Sequence, residues 1–498
     1  MSKSRQSKVM TITGSAALQT TQLNCCSLLT ILLAAVVLIL SGCATVGPDY
    51  VEMEAKPPAN WHTELQAGLT AEQASPANLT RWWTLLEDFQ LTTLEERAIK
   101  GNLDLKVAQA RIHEARAMRG ISHAQFFPTL DASAAATKSR SSENSETGTE
   151  RELYFSGFDA SWELDVFGGV QRSVEAAQAS LEATQENRHD LLVSLLAEVA
   201  LNYVEVRTYQ SRLEVSKANI KLQQESYELN DSRFQAGVIG ELAVQESLRI
   251  LESSKSQIPT LEIGLDAATN RLAVLLGEHP GSLHEELAAQ QPLPSLPINV
   301  AVGIPAETLR HRPDIRQAER EVAAQTARIG MATAELYPKF RLSGTLGLEA
   351  LSVGDLLQTS SKTWSIGPEV TWNLFDARAI RQNIQVQNAR QEQALIHYEL
   401  TILRALEEVE NALVAYAKEQ QRQGFIAKAS IAAERAANLA DEQYQAGLVN
   451  FNNVLDAQRA LLILRDELTR SNGTVIANLV RLYKALGGGW SLNSPDQK

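Results

Sequence analysis

The chain repeats itself at a fixed offset of 210 residues, and that duplication limits the folds open to it. Asp104 pairs with Asp314, Ala108 with Ala318, Gly120 with Gly330 and Pro128 with Pro338. Further along, Trp162 pairs with Trp372, Leu164 with Leu374 and Glu198 with Glu408. Gln235-Ala236-Gly237 recurs as Gln445-Ala446-Gly447, and Leu276-Gly277 as Leu486-Gly487. Chance identities would scatter over many offsets. Two copies are too few and too long for a solenoid, so one architecture built twice is expected: repeat 1 at residues 91–277 and repeat 2 at 301–487. Between them, residues 278–300 form a connector carrying Pro280, Pro292, Pro294 and Pro297. Proline removes a backbone donor and interrupts helices, so extended chain is expected there and in Gly47–Trp61, with Pro48, Pro57 and Pro58. The acidic, Ser/Thr-rich stretch Ser139–Glu150 reads as a solvated loop.

Each repeat reads as a helix, two strands and two long helices. From Gln171 to Ile258 there is no proline, and the only glycines are Gly237 and Gly240. Ala, Leu, Glu and Gln dominate, and all favour helix. An unbroken helix over Gln171–Ala236 would span about 100 Å at 1.5 Å per residue; its counterpart runs from about Ala379 to Gln445. Globular helices average about 11–12 residues. Leu191, Leu195, Val199 and Tyr203 make an apolar stripe at helical spacing that requires helical neighbours. Helices alone would also suit a coiled-coil stalk.

The strands argue against a stalk. In Phe340–Ala350, Phe340, Leu342, Gly344, Leu346, Leu348 and Ala350 share one face, against Arg341, Ser343, Thr345, Gly347 and Glu349. Trp364, Ile366, Pro368, Val370, Trp372 and Leu374 alternate with Ser365, Gly367, Glu369, Thr371 and Asn373. The first copy sets Phe158, Ala160, Trp162, Leu164 and Val166 against Asp159, Ser161, Glu163 and Asp165. Bulky apolar groups on one face and charges on the other suit a transmembrane barrel with a wet lumen; a half-buried soluble sheet is the alternative. One chain supplies four such strands. An open four-stranded sheet leaves unpaired edges in lipid, and bacterial barrels need about eight strands or more. Several chains must therefore combine.

The N-terminal region supplies an address. Lys3, Arg5 and Lys8 precede a 14-residue apolar run, Ser27–Leu40. A bilayer span needs about 20 residues, so residues 1–42 read as a secretory signal peptide. Leu40-Ser41-Gly42-Cys43 resembles a lipobox, with Cys43 as the expected lipid attachment. Ala44 rather than aspartate follows, which suits outer-membrane sorting. Residues 43–90 are then a lipid-anchored N-terminal arm and 488–498 a C-terminal tail. Cys25, Cys26 and Cys43 are the only cysteines, so the mature chain keeps no free thiol for a disulfide, zinc site or nucleophile. A formal net charge of −13, more negative once the signal is removed, argues against nucleic acid as a partner. The eight histidines show no metal-ligand spacing, and His113 and His397 fall on polar, solvated helix stretches. Glu163, Asp165 and Glu369 are explained by strand alternation as lumen residues rather than as catalytic carboxylates. No catalytic, cofactor or metal site is expected.

Several motifs carry a family resemblance over essentially the whole mature chain. They are Leu309-Arg310-His311-Arg312-Pro313-Asp314-Ile315 with Ala318-Glu319, Gly47-Pro48-Asp49-Tyr50 after Cys43, and Trp82-Trp83. Ala446-Gly447 followed by Leu455-Asp456-Ala457-Gln458-Arg459 is another. The chain resembles the TolC-like outer-membrane efflux proteins, in the lipoprotein subgroup that includes OprM and NodT.

The resemblance implies an α+β membrane protein. A homotrimer would close a transmembrane β-barrel, four strands per chain, continuous with a periplasmic α-barrel. Such proteins are exit ducts of tripartite systems. They receive small molecules or drugs from an inner-membrane pump, proton-driven in this reading, through a periplasmic adaptor. Type I protein secretion and metal-ion efflux are the alternatives. The resemblance places Gly237, Val238, Gly447 and Leu448 at a periplasmic tip where the adaptor docks, and Asn453 and Asp456 at a pore constriction. Tyr444 matches the family pattern there. Asn453 stands where TolC has another aspartate, and Val449 where it has a latch arginine, so a charged latch is not expected.

Overall fold

The computed structural model describes residues 45–53, 57–72, 75–144 and 148–491. Cys43 and the apolar run before it lie outside them. In chain order the principal elements of the first copy are α1 (Phe89–Gly101), α2 (Leu103–Ala124), β1 (Thr129–Arg140), β2 (Glu150–Leu164), α3 (Gly169–Gln235), α4 (Glu241–Lys255) and α5 (Gln257–Leu275). Those of the second are α6 (Pro305–His311), α7 (Pro313–Ala334), β3 (Lys339–Ala350), β4 (Lys362–Thr371), α8 (Ala379–Gln445) and α9 (Phe451–Ala485). The 67-residue helices α3 and α8 start and stop 210 residues apart, as do α2 and α7, and β1 and β3.

Two differences from the expected plan have local causes. Each copy opens with two helices rather than one. Asn102 breaks the first pair, its Oδ1 accepting from the Leu105 amide at 3.0 Å, and Pro313 breaks the second by holding Arg312 extended. The last helix of the first copy divides at Ser256, because Pro259 lacks an amide and its ring would strike the carbonyl four residues back, that of Lys255. Its counterpart α9 has no proline and runs unbroken for 35 residues.

The chain divides into two compact units. The first holds residues up to Tyr50, Gly120–Ala176 and Thr326–Ala389. It contains an antiparallel sheet in the order β1-β2-β3-β4. Phe158, Leu346 and Trp364 stand opposite one another in one row, and Asp159, Thr345 and Ser365 in the next. Successive strand residues point to opposite faces, so the first row is apolar and the second polar. On the polar face Asp159 accepts from Ser133 at 2.7 Å and from Thr345 at 2.8 Å. On the apolar face Leu346 and Trp364 are 63% and 73% exposed in the single chain. Strand pairing reaches Arg140↔Glu150, so the loop is shorter than Ser139–Glu150. Conversely, β4 stops at Thr371, opposite the first residue of β3; Trp372 and Leu374 continue the alternation but have no strand to pair with.

The second unit holds Val51–Arg119, Ala177–Gln325 and Arg390 onward. Its core gathers Leu196, Tyr203, Leu272, Leu413, Tyr416 and Leu479. Segments expected to be peripheral enter this core. Trp82 is fully buried and stacks on Tyr483 with ring centroids 5.4 Å apart. The connector folds into a short helix, His284–Leu287, with Leu283 and Leu287 buried, and Val300–Ala301 pairs in parallel with Leu69–Thr70. The tail is packed as far as Ser491: the Gly489 amide donates to Leu79 O, and Trp490 Nε1 to His311 O. Among the described residues no helix is long and apolar enough to cross a membrane.

Candidate functional site

The second unit carries two nearly identical helical turns. Gly237 ends α3 with φ +72°, and Gly447 ends α8 with φ +73°. In the first, the Gly237 amide donates to Phe234 O at 2.8 Å and the Val238 amide to Arg233 O at 2.9 Å. The second repeats this, from Gly447 to Tyr444 O at 3.0 Å and from Leu448 to Gln443 O at 2.9 Å. These bonds satisfy carbonyls that a helix end leaves unpaired, and they require a left-handed residue, which glycine supplies without a Cβ clash. Val238 and Leu448 follow directly, 71% and 75% exposed.

The two turns are tied together just above their ends. The Tyr444 hydroxyl donates to Asn230 Oδ1 at 3.1 Å, and the Arg233 guanidinium sits 5.0 Å from the centre of the Tyr444 ring. Tyr444 also meets Phe451, whose cluster with Val454 and Leu455 packs on Ala243 and Ile250 of α4. The hydrogen bond between the two turns thus joins uncharged groups, with the Arg233 cation over the ring beside it. Neither Asn230 nor Arg233 was singled out by sequence. A signal existed: one repeat back from Tyr444 is Phe234, so the hydroxyl is peculiar to the second copy.

Asn453 and Asp456 lie on one exposed face of the first turns of α9, with Asp456 3.6 Å from Arg459. At 76% and 49% exposure that ion pair is weak, about 0–1 kcal/mol. Asp165 departs from its expected role as a lumen residue. It lies one residue past β2, and its Oδ2 accepts from the Gln171 amide at 2.8 Å, capping α3. Glu163 faces Arg341 at 3.6 Å on the polar face of the sheet. His113 and His397 are exposed.

Two further motifs resolve into structural work. Arg312, nearly buried, holds Asp314 through two hydrogen bonds of 3.1 and 2.8 Å. It also reaches Glu408 at 2.8 Å and the Ala485 carbonyl at 2.6 Å. Burial opposes its charge, but the bonds and fields of Asp314 and Glu408 outweigh that and raise its pKa. The Arg-Pro-Asp motif thus ties the start of α7 to the end of α9. Beside it, burial and then Asp314 push the Asp190 carboxyl above its usual range. In the first unit, Gly47-Pro48-Asp49 is seated by buried Arg172, which donates to Val46 O at 3.1 Å and pairs with Asp49 at 2.6 Å. Gly47, at φ +90°, lies so close to Gly330 that a Cβ would fall 2.4 Å from its Cα. Cys43 itself lies outside the described residues.

Each copy sets a strand hairpin with one apolar and one polar face before a 67-residue helix in the chain, an arrangement shared with an outer-membrane channel of known structure. The family described as outer membrane efflux protein matches residues 94–278 and 304–488. Nodulation protein T of Rhizobium leguminosarum bv. trifolii is 32% identical over 464 residues, covering 91% of this chain and 96% of that protein. The toluene efflux pump outer membrane protein TtgI of Pseudomonas putida is 31% identical over 467 residues, covering 92% and 97%. Among solved structures, that of the outer-membrane channel OprN is similar with a TM-score of 0.84 and 34% identity, covering 90% of this chain and 100% of that one. The chain belongs to the outer membrane efflux protein family.

Proposed function

We propose that the chain is one subunit of a homotrimeric outer-membrane duct through which small apolar molecules leave the cell. The observation that carries this is the sheet: four strands, an exposed apolar face, a hydrogen-bonded polar face and two unpaired edges. Such a sheet is untenable alone in lipid and becomes tenable when three copies close about twelve strands into one barrel. The apolar face then meets lipid and the polar face lines the passage. The duct performs no bond chemistry; an inner-membrane pump supplies the work, through a periplasmic adaptor. The two turns at Gly237-Val238 and Gly447-Leu448 offer the adaptor its docking points, and Asn453 and Asp456 face the axis where the tube narrows. Cys43 carries the lipid. The similarity to TtgI supports an apolar cargo such as an aromatic solvent. Deleting the gene should raise accumulation of a labelled aromatic hydrocarbon in intact cells, and restoring it should reverse this. Unchanged accumulation, with the chain present and trimeric in the restored strain, would count against the cargo.

A further inference from the structure

The two helical hairpins, turning at Gly237 and Gly447, are duplicates in position but not in what they bury. Along the last third of α3, Ser216, Asn219, Gln223 and Asn230 recur at the spacing that gathers residues on one helix face, and all four are buried. A buried helix face is ordinarily apolar. One repeat on, α8 carries Ile426, Ala429, Ala433 and Ala440 at the same positions. The returning helices differ in the same sense. Ser247 and Ser254 of α4 stand as far beyond the turn as Asn230 and Gln223 stand before it, so each serine lies level with its amide. Both serines are buried, and their duplicates in α9 are Ala457 and Leu464. The first copy thus has polar side chains at two levels where the second has apolar ones.

The amides of α3 are incompletely satisfied. Tyr444 donates to Asn230 Oδ1 at 3.1 Å, but Asn219 Nδ2, Gln223 Oε1 and Asn230 Nδ2 have no hydrogen-bond partner among the described residues. A buried polar atom left unpaired loses its hydration with no return, so native chains pair such atoms with protein or with water. Here the orphans are donors and an acceptor in one row, and water serves both. Ser247 Oγ donates to Val244 O at 2.8 Å and keeps its lone pairs to accept. We propose that the first hairpin encloses a row of buried water molecules along this face of α3. They accept from Asn219 and Asn230, donate to Gln223 Oε1 and close their remaining bonds on Ser247 and Ser254. The second hairpin, with alanine and leucine at these levels, is dry. Water in the seam offers each amide and hydroxyl a substitute partner, so the first hairpin parts locally at lower cost than the second. The break at Ser256, absent from α9, acts in the same direction. Of the two turns, the one at Gly237 is the compliant one.

Radiolysis by a brief X-ray pulse tests this, because hydroxyl radicals form on bound water and label the side chains beside it even where bulk solvent does not reach. Leu251 lies between Ser247 and Ser254 on the same buried face of α4 and is 1% exposed; its duplicate, Leu461, is 8% exposed. In the full-length, detergent-extracted protein Leu251 should be labelled at least several-fold faster than Leu461, against the order of their exposure. Labelling of Leu251 no faster than that of Leu461 overturns the proposal. Gln223→Ala together with Ser254→Leu installs the residues of the second copy and leaves Tyr444 and both turn glycines in place. It should bring Leu251 down to the rate of Leu461 and slow amide hydrogen exchange across residues 216–230. Fast labelling of Leu251 that persists in the folded variant puts the water elsewhere and overturns the assignment. Should the variant not fold, the comparison within the native chain decides alone.

Discussion

Replacing Gly447 by alanine isolates the torsional term at the α8–α9 turn. Gly447 has φ +73°, and a Cβ there meets nothing within 4 Å. Sterics are therefore silent, and only the left-handed backbone opposes the change, by about 1–2 kcal/mol. A stiffer unfolded chain offsets about 0.4–1 kcal/mol of this. The net loss is then about 0–1.6 kcal/mol with a central value of about 0.8 kcal/mol, felt as easier opening of the turn. Since about 1.4 kcal/mol is a factor of ten, hydrogen exchange at the Leu448 amide, bonded to Gln443 O, should quicken about two- to tenfold. Val475, in the core far along α9, should exchange as before. Gly447→Asn should do less harm, because asparagine tolerates the left-handed region. Gly277→Ala has nearly the same φ, +75°, but its Cβ would lie 2.4 Å from Gly101 O, so it should perturb the whole second unit. If Gly447→Ala leaves exchange unchanged, or if asparagine is as harmful as alanine, the torsional reasoning is wrong.

Leu346→Arg should destabilise the assembled protein by about 2–4 kcal/mol if the site lies near the membrane midplane, whereas Thr345→Arg, beside Asp159, should be tolerated; heat dissociation on gels compares them. Asp456→Ala should lower cation selectivity in planar-bilayer recordings while Arg459→Ala leaves it alone, since three carboxylates round one axis would focus a negative potential; unchanged selectivity in Asp456→Ala ends the constriction claim. Glu95 is fully buried on α1, with no hydrogen-bond partner for either carboxyl oxygen among the described residues. Burial pushes its pKa well up, so its contribution is intact below the ordinary glutamate range and is lost as pH rises toward the folded-state value. Glu95→Gln should therefore gain thermal stability over the native chain as pH rises from about 4 to about 8, and a constant gap would contradict this.

Much of the architecture was legible because it is written in periods. Alternation at Phe340–Ala350 and the proline-free runs behind α3 and α8 need no distant partner to be read. Glycine at 237 and 447 marks its own helix end. What escaped depends on residues far apart in sequence. Asn230 matters only because Tyr444, 214 residues away, reaches it. Trp82 and Trp490 looked like parts of an arm and a tail, and their burial is set by Tyr483, His189 and His311. Asp165 continued a strand pattern so well that its capping of α3 was hidden. The lipid expected at Cys43 rests on the motif around that residue, which lies outside the described residues.

In the proposed assembly three chains complete one barrel. Native mass measurement of the detergent-extracted protein, in a micelle that preserves the β-content, counts the copies. Three copies per particle is the predicted result. A monodisperse monomer retaining the full strand content and resisting unfolding in the same detergent would contradict it.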